Sequence, residues 1–156
     1  MKTNIRLVTE EDLPEVAKVY AETFNSAFPN EDWTVGSAKE LLSYLYKAHP
    51  DLFFVAQKED EIVGGIAGII KPWWNGESFA DGELFVKTIH QNRGVGKGLL
   101  KKALETAIEK YQISGMEGIT NGEAKFPLSW YERLGLKKTG YVHIEGNAQE
   151  ILKNLS

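Results

Sequence analysis

Residues 91–97 read Gln-Asn-Arg-Gly-Val-Gly-Lys, with two glycines and two cations directly ahead of an amphipathic stretch that runs to Tyr111. These types in this order suit the capture of an anion at a helix N-terminus. The first N–H groups of a helix lack intrahelical acceptors and sit at the positive end of its dipole. Glycines let the backbone approach an anion without Cβ atoms in the way. Arg93 and Lys97 add full charges, whereas a solvated helix face accounts equally well for Lys101 and Lys102.

Two familiar anion loops fail on residues that they physically need. A dinucleotide fingerprint starting at Gly94 and Gly96 has Leu99 where the third glycine must let helix and strand pack closely. A P-loop has Gln91 where its first glycine belongs, and Gly98 where a magnesium-holding hydroxyl belongs.

The elements that must position this loop follow from periodicity. Ile5, Leu7 and Thr9 alternate as a first strand. Asp12 as N-cap and Pro14 in the first turn open a helix with Leu13, Val16, Val19, Tyr20 and Phe24 on one face. Ser37 opens a second helix carrying Ala38, Leu41, Leu42, Leu45 and Tyr46. Two apolar runs, 52–57 and 62–70, flank a charged turn and read as a hairpin. Residues 72–78 read as a loop and 81–88 as a strand feeding the anion loop. Val95, Leu99, Leu100, Ala103, Leu104, Ala107, Ile108 and Tyr111 stripe the following helix. A short strand at 115–120, a helix closed by Gly135 and a last strand at 140–146 complete the chain. The fold class expected is α/β, a mixed sheet flanked by helices in the order β-α-α-β-β-β-α-β-α-β, as one domain over residues 1–156.

Composition narrows the chemistry. A net charge of −4 argues against a general nucleic-acid binder. With no cysteine there is no thiolate nucleophile, disulfide or Cys-based metal site. His49, His90 and His143 lack metal-ligand spacing, so no metal is expected. No apolar run reaches the roughly 20 residues of a membrane span, and the N-terminal residues lack the apolar core of a signal peptide, so a cytoplasmic protein is expected.

A third anion loop, Gln/Arg-x-x-Gly-x-Gly/Ala between strand and helix, matches Gln91, Asn92, Arg93, Gly94, Val95 and Gly96. Residues 130–141 carry a second pattern, Trp130-Tyr131 followed by Gly135, with Leu136 in a slot usually aromatic. Both motifs, in this order of elements, resemble the GNAT family of N-acetyltransferases over essentially the whole chain. The resemblance implies that the anion is the pyrophosphate of acetyl-CoA, held by residues from Gln91 to Lys97. It implies that Leu84, Phe85 and Val86 hold the acetyl carbonyl and pantetheine arm through backbone groups. It gives Tyr131 the part of general acid toward the departing thiolate.

The base is the harder assignment, because a high-pKa amine is mostly protonated and something must take its proton. Glu83 is the candidate; Glu77, Asp81 and Glu117 are near in sequence. Ile119 and Thr120 stand where some members carry a glutamate, and Ala124 replaces a frequent asparagine, with Asn121 out of register. Trp33, Trp73 and Trp74, with Glu31, Asp32, Glu77 and Asp81, are expected either to frame an aromatic, acidic mouth for a cationic amine or to cover the core.

The reading is an acyl-CoA-dependent N-acetyltransferase acting by direct attack in a ternary complex, on a small-molecule amine in preference to a protein, without nucleic acid, membrane or metal. Polyamine, aminoglycoside, amino acid and protein N-terminus all stay open as acceptors, as does a homodimer. The alternatives are a non-catalytic acyl-CoA-binding or sensing domain on the same fold and a transferase using a larger acyl donor.

Overall fold

The computed structural model describes residues 3–155. The chain divides into two compact units, Met1–Gly118 and Ile119–Ser156.

The first unit is a five-stranded sheet in the order β1-β2-β3-β4-β5, made of β1 (Asn4–Leu7), β2 (Phe54–Lys58), β3 (Glu61–Trp73), β4 (Gly76–Val86) and β5 (Gly115–Met116). Neighbours are antiparallel except for β4 and β5, which run parallel. Helices α1 (Leu13–Ala27) and α2 (Val35–Ala48) share one apolar cluster with Val55, Ala67 and Phe85 of the sheet. Helix α3 (Val95–Tyr111) buries Val95, Leu99, Leu100, Ala103 and Ala107 outside that cluster, against the other face. The stripe read from sequence ends sooner than expected, because Ile108 is exposed.

Helix starts differ in detail from expectation. Asp12 does not cap α1; its carboxylate turns back to the Thr9 N–H at 2.8 Å and takes two bonds from Arg6, at 2.6 and 2.9 Å. The guanidinium outcompetes the helix amides because both partners of that bond are charged. Helix α2 begins at Val35 with Thr34 as N-cap, and Ser37 is its reciprocal partner at the third position.

The hairpin of β3 and β4 is longer than its sequence suggests. Strand pairing continues to Trp73↔Gly76, so the expected loop at 72–78 shrinks to a turn at Trp74 and Asn75. In its middle, Ala67 pairs with Glu83 and Ile69 with Ala80, so Gly68 stands opposite both Asp81 and Gly82. This is a β-bulge, with Asp81 at φ +48°. The Phe79 ring lies across it. A Cβ built on Gly68 would stand 2.3 Å from that ring, and one on Gly82 2.9 Å.

The second unit carries α4 (Leu128–Arg133) and α5 (Ala148–Asn154). The last strand expected at 140–146 is absent there. Tyr141, Val142 and Ile144 are exposed, and no strand among the described residues of this unit offers them a ladder partner.

Candidate active site

The bulge decides what β4 presents, because side chains alternate along a strand and one extra residue reverses the alternation. Phe79, ahead of it, contacts Gly68 on the α3 face. Phe85, also odd-numbered but beyond it, packs with the α1 cluster on the opposite face. Glu83 shares Phe85's face and is not left to solvent. The buried Tyr20 of α1 donates its hydroxyl to Glu83 Oε2 at 3.0 Å.

Around that bond lies an aromatic cluster. Tyr20 stacks on Phe24, with centroids 4.3 Å apart, and meets Trp33 and Phe85 edge-on at 5.1 and 5.3 Å. Asn25 fixes Trp33 by a two-way clamp, its side chain bonding the Trp33 C=O at 2.8 Å and N–H at 2.9 Å. The indole in turn donates to Glu31 at 2.5 Å. Burial pushes the Glu83 carboxyl above its ordinary range; the Tyr20 hydroxyl opposes that, while Glu31 and Asp81 reinforce it. The Tyr20 hydroxyl is pushed far up by burial and by Glu83, so it remains a donor.

The other acidic candidates separate from this group. Glu117 pairs with Lys71, whose ammonium also lies 4.7 Å from the Trp73 ring centroid. Glu77 pairs with Pro72 near the hairpin tip, roughly 20 Å along β4 from Glu83. Trp73 and Trp74 sit at that tip, with Trp74 85% exposed. Of the expected aromatic, acidic mouth, Trp33, Glu31 and Asp81 therefore gather about Glu83, and the tip tryptophans do not.

The outer edge of β4 opens beyond the bulge. Pairing with β5 covers only Ser78 and Phe79, extended by the Glu117 N–H to the Phe79 C=O at 3.0 Å. Lys87 N–H bonds Val63 C=O on the β3 side, so by antiparallel alternation Leu84 and Val86 turn their backbone groups outward and Phe85 turns inward. The outward Val86 C=O accepts the Gln91 side-chain amide at 2.9 Å, which ties the anion loop to the strand end.

The loop itself is built by left-handed residues, Asn92 at φ +58° and Gly94 at φ +82°. The first intrahelical bond runs from Gly98 N–H to Gly94 C=O. Ahead of it, the N–H groups of Val95, Gly96 and Lys97 have no acceptor within the helix. Gly94 is favoured by its φ, while at Gly98 a Cβ would stand 2.9 Å from the terminal methyl of Ile5, which a small shift of that side chain relieves. Gly96 has no left-handed φ and no close neighbour; a Cβ there would meet only Val86 at ordinary contact distance. Among the described residues neither Arg93 nor Lys97 has an acidic partner, whereas Lys101 pairs with Glu105.

Tyr131 belongs to the second unit, on α4, with its ring centroid 4.9 Å from that of Trp130. Gly135, at φ +100°, ends the helix as expected. Among the described residues no group of three or more His, Cys, Asp or Glu could hold a metal, and no helix is long and apolar enough to cross a membrane. Tyr20 is the site residue that periodicity concealed, since it sits in the apolar stripe of α1. The available signal was its hydroxyl, which a buried tyrosine must satisfy.

Solved structures share this fold. A possible acetyltransferase from Clostridium difficile 630 superposes with a TM-score of 0.76 at 16% identity, covering 95% of this chain and 99% of its own. A transcriptional regulator from Bacillus halodurans C-125 gives 0.73 at 20%, over 94% and 99%. An aminoglycoside acetyltransferase from an uncultured soil metagenomic sample gives 0.68 at 19%, over 95% and 99%. At sequence level, residues 49–138 match the model of the acetyltransferase (GNAT) domain. That match spans more than half of the chain and takes in β4, the anion loop and α4, so the chain belongs to the GNAT acetyltransferase family.

Proposed function

We propose that the protein transfers the acetyl group of acetyl-CoA to a primary amine by direct attack in a ternary complex. The observation that carries this reading is the open outer edge of β4, followed after one 3-10 turn at Thr88–His90 by the anion loop. In that loop, among the described residues, the N–H groups of Val95, Gly96 and Lys97 have no helical acceptor and Arg93 and Lys97 have no acidic partner. Acetyl-CoA supplies the acyl group already activated as a thioester. The residues fit such a group: the amides of residues 92–97 and the side chains of Arg93 and Lys97 meet the pyrophosphate, with Gly96 leaving room for it. Leu84 and Val86 offer backbone groups to the pantetheine arm, and an outward N–H stabilises negative charge on the thioester oxygen.

Glu83 receives the proton of the incoming amine, directly or through one water, and a carboxyl that burial makes more basic than usual suits that task. Tyr131 returns a proton to the departing thiolate. The acceptor is a cationic small-molecule amine, consistent with Glu31, Asp81 and Trp33 around Glu83. The family match crosses the boundary between the two units, so residues 1–156 act as one acetyltransferase domain.

Calorimetric titration with acetyl-CoA tests the donor. One-to-one binding that Gly96→Leu weakens at least about tenfold is expected, since the leucine fills space the protein itself leaves open. Heat from ATP or NAD, with none from acetyl-CoA, overturns the reading.

A further inference from the structure

We infer that Tyr20 is a positioning residue for the site: its hydroxyl holds the Glu83 carboxylate in place at the end of α1's aromatic cluster. The inference rests on the reading of Glu83 as the group that takes the amine proton. Tyr20 is 1% exposed and donates to Glu83 Oε2 at 3.0 Å. A phenol buried that deeply in an apolar face is costly unless its hydroxyl is bonded. Its ring is held on three sides, by Phe24, Trp33 and Phe85, so the donor has no freedom to wander. Among the described residues Glu83 is restrained on one oxygen, Oε2, which leaves Oε1 for the acceptor or a water.

The bond also governs when Glu83 is ionised. The charged and titratable groups acting on it are Tyr20 from α1, Glu31 from the loop after α1, and Asp81 from its own strand. Burial, Glu31 and Asp81 all favour the protonated form, and Tyr20 alone opposes them. Removing the hydroxyl therefore raises the Glu83 midpoint further. A base works only when deprotonated, so the acid limb of activity moves to higher pH.

The test follows the carboxyl carbons by 13C NMR across a pH titration of protein labelled at glutamate Cδ, with Glu83→Gln identifying the signal. Tyr20→Phe keeps the ring and its packing, and the Glu83 midpoint is expected to rise by about one pH unit. In the wild-type protein, the Tyr20 Cζ signal is expected to titrate in step with Glu83. An unchanged midpoint in Tyr20→Phe, or a Tyr20 signal that ignores Glu83, overturns the inference. Failure of the underlying reading looks different: both signals behave as expected, yet Glu83→Gln turns over acetyl-CoA at the wild-type rate.

Discussion

In the proposed mechanism single side chains carry the chemistry, and they differ in how openly the sequence announces them. Gly94 and Gly96 sit in a spaced motif, and the backbone roles proposed for them follow from residue type alone. Glu83 was one carboxylate among four neighbours, and only the Tyr20 bond sets it apart. Tyr131 owes its assignment to a second motif, and its loss separates an enzyme from a binder of acyl-CoA. Tyr131→Phe is expected to lower turnover by about 10²-fold or more, the ordinary worth of a general acid, while acetyl-CoA affinity stays nearly unchanged. Steady-state thiol release beside calorimetry measures both quantities. Equal loss in the two would make the residue structural, and unchanged turnover would remove it from the mechanism.

Among the elements, the long helices were legible because each buries one continuous stripe. The strands were less so. Residues 72–78 look like a loop by composition, with Pro72, two tryptophans, Asn75 and Gly76, yet most of them lie in the hairpin. Apolar alternation at 140–146 resembles a strand, but alternation says nothing about whether a partner is present to complete the ladder. The bulge at Asp81 and Gly82 is invisible to pattern reading, since it depends on which residue stands opposite. Its packing is demanding, because the Phe79 ring is wholly buried between Gly68 and Gly82 and has nowhere to retreat. Gly68→Ala is expected to destabilise the protein by about 1–3 kcal/mol, the usual cost of overpacking. Urea unfolding measures it, and a midpoint equal to wild type would show that the ring can move.

For the molecule as a whole, binding and stability are linked. A ligand that occupies the anion loop and the edge of β4 only in the folded state adds about 2.7 kcal/mol at a hundredfold excess over its Kd. For a chain of this size that raises Tm by roughly 5–10 °C. Scanning calorimetry with acetyl-CoA checks the figure, and an unmoved transition counts against the donor site. Net charge and composition limited the whole-molecule reading to broad classes, and the acceptor stayed unread because the residues facing Glu83 come from a helix and a loop distant in sequence. The bulge has a consequence for descent as well as for geometry. A strand is read in twos, and the extra residue at 81–82 works as a frameshift written into the backbone, so that what lies before it and what lies after it obey opposite parities. The hairpin tip can gain or lose matched pairs of residues across generations without disturbing Glu83. A single deletion at the bulge would restore one common frame and take out the left-handed step at Asp81, while Glu83 stays opposite Ala67 on the same side of the sheet.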